Sequence, residues 1–159
     1  MTVTLCPITK ENWRYVYQLS ETLSEEQRNF VSDNGFSMLE AIWDAEKFTA
    51  RAIYADDVPV GFLMTGYEPE RQRHWIVRFM IGADHQRKGY GRAAMQLVID
   101  EYKAKPGCAE LYIGFAPENH VARALYSSFG FLDTGRTEYE ECVYCLPLRE
   151  TSVSEQTNG

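Results

Sequence analysis

The chain's 159 residues suit one ordinary domain, because domains commonly run to about 100–200 residues. Its 45% hydrophobic and 25% charged residues are those of a folded globular protein, and they exclude disordered, collagen-like and coiled-coil classes. Sixteen Lys and Arg against 23 Asp and Glu give a net charge of −7, which disfavours nucleic acid and anionic lipid as partners.

Val3-Thr-Leu-Cys-Pro7 alternates like a short strand, and Asn12 to Leu23 then sets Trp13, Val16 and Tyr17 at helical spacing. Ser24-Glu-Glu-Gln27 and Ser37-Met-Leu-Glu40 both read as capping boxes, which predicts two short helices separated by Asp33-Asn-Gly35. Thr49 to Ala55 and Val58 to Tyr67 are β-rich runs joined at Asp56-Asp57, a hairpin pattern. Beyond the polar Glu68 to Arg73, His74 to Ile81 is again strongly β. Arg92 to Ala104 places Met95, Val98, Ile99 and Tyr102 on one apolar stripe, and Lys105-Pro-Gly107 stops that helix. Glu110 to Phe115 reads as a strand, and Asn119 caps a helix that ends at Gly130. Phe131 to Arg136 and Glu141 to Leu148 are the last strands. This order predicts one mixed α/β domain over residues 1–148, with residues 149–159 a disordered polar tail.

No run approaches the ~20 apolar residues of a membrane span, and the first residues lack the basic-then-apolar pattern of a signal peptide. A cytoplasmic protein with no membrane partner is therefore expected. The four cysteines, Cys6, Cys108, Cys142 and Cys145, read as free thiols. Cys142-Val-Tyr-Cys145 has the spacing of zinc and redox pairs. Zinc needs four ligands, however, and His74, His85 and His120 lie far off in sequence. Residues three apart on a strand also point to opposite faces, so strand thiols without metal are the expectation.

Residues 71–92 hold six Lys or Arg and one acid in an otherwise acidic chain. That suits a compact anionic ligand at the basic island and leaves the acidic remainder to attract a cationic second partner. Inside the island, Gln86-Arg-Lys-Gly-Tyr-Gly91 joins a strand to a helix. Gly89 and Gly91 let the backbone approach a ligand, the helix N-terminus presents N–H groups, and Arg87, Lys88 and Arg92 add charge, so the turn suits phosphate. Gly89-x-Gly91-x-x-Ala94 also matches the dinucleotide fingerprint formally. Residues 82–88 separate it from its strand, though, and Glu110, at the ~20-residue offset of the ribose-binding acid, begins a strand instead of ending one. A Walker A loop is excluded because no Gly-Lys-Ser/Thr occurs. A surface turn with incidental basic residues is the remaining alternative.

The same six residues resemble the Gln/Arg-x-x-Gly-x-Gly/Ala signature of the GNAT family of N-acetyltransferases. The resemblance continues through the preceding strand, Pro117-Glu-Asn119 and Ala124-Leu-Tyr-Ser-Ser-Phe-Gly-Phe131, over about residues 50–148. It implies a central mixed, mostly antiparallel twisted sheet of about seven strands with about four flanking helices. It further implies an acyltransferase that uses acetyl-CoA as co-substrate, without metal, its pyrophosphate held by Gln86, Arg87, Lys88, Gly89, Tyr90, Gly91 and Arg92. Backbone N–H groups around Met80 and Ile81 would polarise the thioester, Asn119 would contact the cofactor arm, and Tyr126 would serve as general acid. Trp75-Ile-Val-Arg-Phe-Met-Ile81 running into the loop looks most like the bacterial spermine/spermidine acetyltransferases, which implies a polyamine acceptor. An acid commonly precedes the arginine in that subgroup, whereas Val77 stands here. Enzymes of this kind are often dimers, which leaves a homodimer as an open expectation.

Acetyl transfer needs a neutral amine, and alkyl amines titrate near ~10.4. Glu25, Glu26, Asp33, Glu68, Glu70 and Glu118 are candidate bases, each more readily read as a plain solvated charge. A tyrosine, near ~10, keeps its proton at neutral pH and can return it to a thiolate near ~8.5. Tyr126 lies off the Val121, Leu125, Phe129 stripe, and a core aromatic is its alternative reading. Trp13, Tyr15, Tyr17, Phe30, Phe36 and Trp43 are expected to be mostly core, with any exposed members able to line a cation site. Ten acids against four bases over residues 11–57 favour a cationic acceptor. His74, His85 and His120 read as surface or loop residues. Aminoglycoside, amino-acid and protein N-terminal amines remain alternative acceptors, and an acyl-CoA-binding regulatory module without turnover is the alternative from another class.

Overall fold

The computed structural model describes residues 2–149. Strands β2 (Phe48–Ala55) and β3 (Val58–Glu68) form the expected hairpin, in which Asp56 takes a left-handed φ of 51° to turn the chain. β1 (Val3–Pro7) adds antiparallel to β2, and β4 (Arg73–Ile81) adds antiparallel to β3. β5 (Glu110–Phe115), β7 (Glu141–Pro147) and β6 (Leu132–Glu138) complete one seven-stranded sheet of order β1-β2-β3-β4-β5-β7-β6. All neighbours are antiparallel except β4 and β5.

That parallel junction is short. Only His74, Trp75 and Ile76 pair with β5, opposite Leu111, Tyr112 and Ile113. Gly114 and Phe115 continue along β7 instead, so Val77–Ile81 and the end of β5 part company. A bulge accompanies the split: β3 residues Met64 and Thr65 face Arg78 and Ile76, which leaves Val77 without a partner on that strand.

Two cores cover the two faces of the sheet, and β3 divides between them by alternation. Leu63 joins Ile53, Ile76, Met95, Val98, Leu111 and Ile113 beneath α4 (Tyr90–Ala104) and α5 (His120–Ser128). Phe62 and Met64 instead join Val16, Leu19, Ala52 and Met80 beneath α1 (Trp13–Glu21) and α3 (Asn34–Trp43). Each such buried side chain contributes about 1.5–3 kcal/mol. The short α2 (Glu25–Arg28) makes five α-helices among the described residues where about four were expected.

Ser24 and Gln27 form the predicted capping box on α2. Ser37 does not form one. Asp33 caps α3, its side chain accepting from the Phe36 N–H at 2.7 Å, so Asn34 and Gly35 belong to the helix and Ser37 is buried within it. Gly35 passes close to α1: an added Cβ would lie 2.6 Å from the exposed Tyr17 ring, which would have to shift. The aromatic residues of the N-terminal half are also not mainly core. The inward side of α1 is Val16, Leu19 and Ser20, which leaves Trp13, Tyr15 and Tyr17 exposed, along with Phe36 and Trp43 of α3.

Cys142 and Cys145 sit half-buried along β7, all four cysteines are free, and no metal-holding cluster occurs among the described residues. Burial raises the pKa of the Cys145 thiol, with Glu110 adding to the rise. Among the described residues no helix is long and apolar enough to cross a membrane. The expected disordered tail lies, beyond Arg149, outside the described residues.

Candidate active site

The glycine loop is held in place by its first residue. The Gln86 side-chain amide donates to the Ile81 carbonyl at 2.9 Å and accepts from the Gln27 amide at 3.2 Å, which clamps the loop between β4 and α2. Arg87 and Gly89 then take left-handed φ values of 62° and 85°, and Gly89 becomes the N-cap of α4. This geometry turns first-turn N–H groups such as those of Gly91 and Arg92, with the positive end of a 15-residue helix, toward a groove. Arg87, Gly89, Tyr90, Gly91 and Arg92 line that groove, and Lys88 does not. Arg92 also donates to the Ser128 hydroxyl at 3.1 Å and stacks on Phe129, tying α4 to α5.

The basic island divides. Arg87, Lys88 and Arg92 lie at the loop, but Arg71 pairs with Glu68 and Glu138, Arg73 stacks on Tyr112, and Arg78 faces Glu40. A run of basic residues in sequence is spread along β4 and the loop, so its charge does not converge on one ligand.

The free edge of β4 has a definite parity. Gly82 N–H donates to the Val60 carbonyl at 2.8 Å, and the Met80 carbonyl would lie 2.4 Å from a Cβ added at Gly61. Even-numbered backbone groups here therefore face β3, and alternation turns those of Phe79 and Ile81 toward the split. Met80 and Ile81 both line the groove, and by this parity the outward N–H groups are those of Phe79 and Ile81. Met80 sends its side chain into the core beneath α1 and α3.

Two grooves meet at this split. One, of about 540 Å³, runs from the glycine loop along Phe79–Ile81 to Ala122 and Leu125 of α5. The other, of about 400 Å³, opens between Val77–Phe79 and Gly114–Ala116 and reaches Tyr139–Glu141. Tyr126 and Asn119 line both. Asn119 additionally caps α5, its side-chain oxygen accepting from the Ala122 N–H at 3.2 Å. The Tyr126 ring is buried against Phe115 and Phe131, and among the described residues its hydroxyl has no hydrogen-bond partner. Burial pushes its phenol pKa up and the Glu141 charge pushes the same way, so the group stays protonated at neutral pH.

The second groove extends outward past Glu40, Glu68, Glu70, Arg71 and Glu138. Taken whole, it carries six carboxylates (Glu40, Glu68, Glu70, Glu138, Glu140 and Glu141) against Lys47, Arg71 and Arg78. Of the base candidates read from the sequence, Glu68 accepts from the Trp75 indole at 3.2 Å and pairs with Arg71, and Glu70 stands at the outer end. Asp33 caps α3, Glu26 lines the first groove, and Glu25 and Glu118 are exposed. Glu141 also lines the inner groove, where its carboxylate lies against Gly114 of β5. Burial raises its pKa, opposed by Arg78.

Comparison with known proteins fits this geometry. The family model described as acetyltransferase (GNAT) family matches residues 12–131. The chain belongs to the GNAT acetyltransferase family. Among its GNAT relatives, the spermine/spermidine N(1)-acetyltransferase of Bacillus subtilis is 25% identical over 145 residues, covering 87% of this chain and 93% of the relative. The [ribosomal protein bS18]-alanine N-acetyltransferase of Escherichia coli is 43% identical over only 56 residues, 35% of this chain and 37% of the relative. The crystal structure of spermidine N-acetyltransferase from Vibrio cholerae, in complex with CoA and spermine, superposes with a TM-score of 0.71 at 16% identity, covering 92% of this chain and 95% of that one. The seven-stranded fold is thus the GNAT fold, and the protein is an acetyl-CoA-dependent N-acetyltransferase.

Sequence reading of this GNAT enzyme missed Glu141 and Phe79. Glu141 opens a strand whose visible signal was its C-x-x-C, and nothing local says that the pairing of β7 with β5 brings its carboxylate to the split. Phe79 reads as one more apolar strand residue until the pairing of β3 fixes which backbone groups face outward.

Proposed function

We propose that this GNAT enzyme transfers the acetyl group of acetyl-CoA to a primary amine of a small polycationic acceptor of the polyamine class, with direct attack by the amine and Tyr126 as general acid. The observation that carries the reading is Tyr126 itself, the buried phenol on the wall shared by both grooves. The loop groove suits the co-substrate: N–H groups at the start of α4 and Arg87 meet the pyrophosphate, Gln86 fixes the loop, and Asn119 and α5 flank the pantetheine arm. The outward N–H groups of Phe79 and Ile81 polarise the thioester carbonyl, where an oxyanion donor is worth about 3–4 kcal/mol. Tyr126 returns a proton to the departing thiolate. Its raised pKa makes a free phenolate costly, so the proton is replaced from the newly acylated nitrogen.

The acceptor class rests on the excess of carboxylates along the second groove and on the whole-length similarity to a spermine/spermidine acetyltransferase. A polycation places one amine at the split and its remaining charges along Glu40, Glu68 and Glu138. A second reading is favoured by Arg78: its Nε is buried without a hydrogen-bond partner beside the split, where the carboxylate of an amino acid or short peptide would satisfy it.

CoA release measured with spermine, spermidine, an aminoglycoside, amino acids, a short peptide and a no-amine blank separates these readings. Polyamines are expected to give the highest kcat/KM, decreasing as salt screens the groove. Turnover confined to amino acids or peptides would replace the polyamine by the carboxylate-bearing acceptor, and no amine-dependent release at all would contradict both.

A further inference from the structure

We propose that Glu141, reaching the split from β7, is the general base that takes the proton from the acceptor ammonium. The inference rests on the transfer reading above and supplies the missing half of its proton traffic. Glu141 lies on the opposite side of the split from Val77, the β4 position at which this chain has no carboxylate. Its carboxylate rests against Gly114, where an added Cβ would be 3.4 Å from Oε1 and 3.6 Å from Cδ. No β5 side chain therefore separates it from the opening. It lines both segments of the acceptor groove, and Tyr126 lines the inner one.

Three neighbouring acids are otherwise engaged, and Glu70 and Glu140 are exposed. Glu138 pairs with Arg71 at 2.7 Å, Glu68 with Arg71 and Trp75, and Glu40 stands 3.7 Å from Arg78. Among the described residues the Glu141 carboxylate has no hydrogen-bond partner and no ion pair within 4.0 Å. The groups that face it are Arg78 from β4, Tyr126 from α5, Glu138 from the end of β6, and the exposed Tyr139 and Glu140 from the β6–β7 turn; β5 presents only Gly114. Ionising a half-buried carboxylate without a protein partner costs stability, and an ammonium bound in the groove would offset that cost.

The acceptor R–NH3+ gives one proton to Glu141, which becomes neutral, and the freed nitrogen lone pair forms the C–N bond to the acetyl carbonyl carbon. The C–S bond breaks with its electron pair on sulfur, and Tyr126 protonates that thiolate. The acylated nitrogen loses its extra proton to the Tyr126 oxygen, and Glu141 later releases its proton to solvent. The products are the N-acetyl amine, CoA-SH and one proton. A base whose pKa is raised toward the working pH holds that proton better than an ordinary carboxylate.

The test is initial-rate CoA release by wild type and Glu141→Gln with the best acceptor of the panel, from about pH 6 to about pH 10, alongside acetyl-CoA affinity. The variant is expected to lose about 100-fold in acceptor kcat/KM at neutral pH, to lose the acidic limb of the profile and to recover partly as free amine accumulates at high pH, with acetyl-CoA affinity unchanged. A thermal readout separates this role from a structural one. Because the folded pKa is raised, the stability linked to Glu141 is present below the unfolded value of ~4.3 and lost as pH rises through the folded value. Glu141→Gln should therefore melt higher than wild type near pH ~8, and the gain should shrink toward pH ~4. Unchanged kcat/KM and an unchanged acidic limb in an active protein would overturn the role of Glu141 alone. A wild type inert toward every amine would overturn the transfer reading and this assignment together. If the variant fails to fold, carboxyl-detected titration of Glu141 in the wild type decides, and a pKa at or below ~4.3 would overturn the role.

Discussion

The two grooves that meet at Tyr126 are built in opposite ways. The cofactor groove is mostly consecutive backbone: Gln86 to Arg92 forms the turn and the helix start, and Phe79 to Ile81 supplies the strand edge. The acceptor groove is mostly side chains brought together from α3, β3, β4, β6 and β7. Main-chain recognition of an invariant cofactor needs glycine and fixed dihedrals, so one short segment can encode it. In the proposed reading, recognition of a variable acceptor falls to distant carboxylates whose meeting depends on the whole sheet.

Substitutions should therefore separate cleanly by groove, and Tyr126 should belong to both. Tyr126→Phe is expected to lower kcat by about ten-fold or more with both KM values little changed, measured by steady-state CoA release. A change in acetyl-CoA KM of the same size would make it a binding residue of one groove. Gly89→Ala comes next. A Cβ there meets nothing within 4 Å, so the cost is the left-handed backbone alone, about 1–2 kcal/mol, and it should appear as lower stability in denaturant melts together with weaker acetyl-CoA binding. Gln86→Ala should raise the acetyl-CoA KM several-fold by unclamping the loop, on the order of the ~1 kcal/mol of a lost hydrogen bond, with no effect on acceptor KM. Smallest is Lys88→Ala, which should leave acetyl-CoA KM nearly unchanged while Arg87→Ala raises it, because only Arg87 lines the groove.

The same contrast explains what the sequence made legible. The glycine loop, the Asn119 cap and the Ser24 box could be read because each is satisfied within a few residues of itself. Ser37 misled because its spacing to Glu40 fits a box, yet Asp33 offers a carboxylate four residues earlier and captures the Phe36 N–H. The exposed aromatics of α1 misled for a related reason: helical spacing marks a stripe but not which stripe faces the sheet, and the smaller Val16, Leu19 and Ser20 took the inside. The basic island was real in sequence and divided in space, since strand alternation and the pairings of Arg71 and Arg78 draw half of it away from the loop. Glu141 and Phe79 depend on where β5 leaves β4 and on the bulge at Val77, which only long-range pairing sets.

The most direct test of the two-groove account is backbone amide mapping by NMR, with CoA added first and spermidine second. CoA should shift Phe79, Ile81, Gly89, Gly91, Arg92 and Ala122, and spermidine should then shift Val77, Arg78, Gly114 and Glu138 to Glu141, with Asn119 and Tyr126 responding to both. Spermidine shifts confined to the exposed apolar surface around Trp13, Phe36 and Ile42, or to the CoA-responsive set, would contradict it.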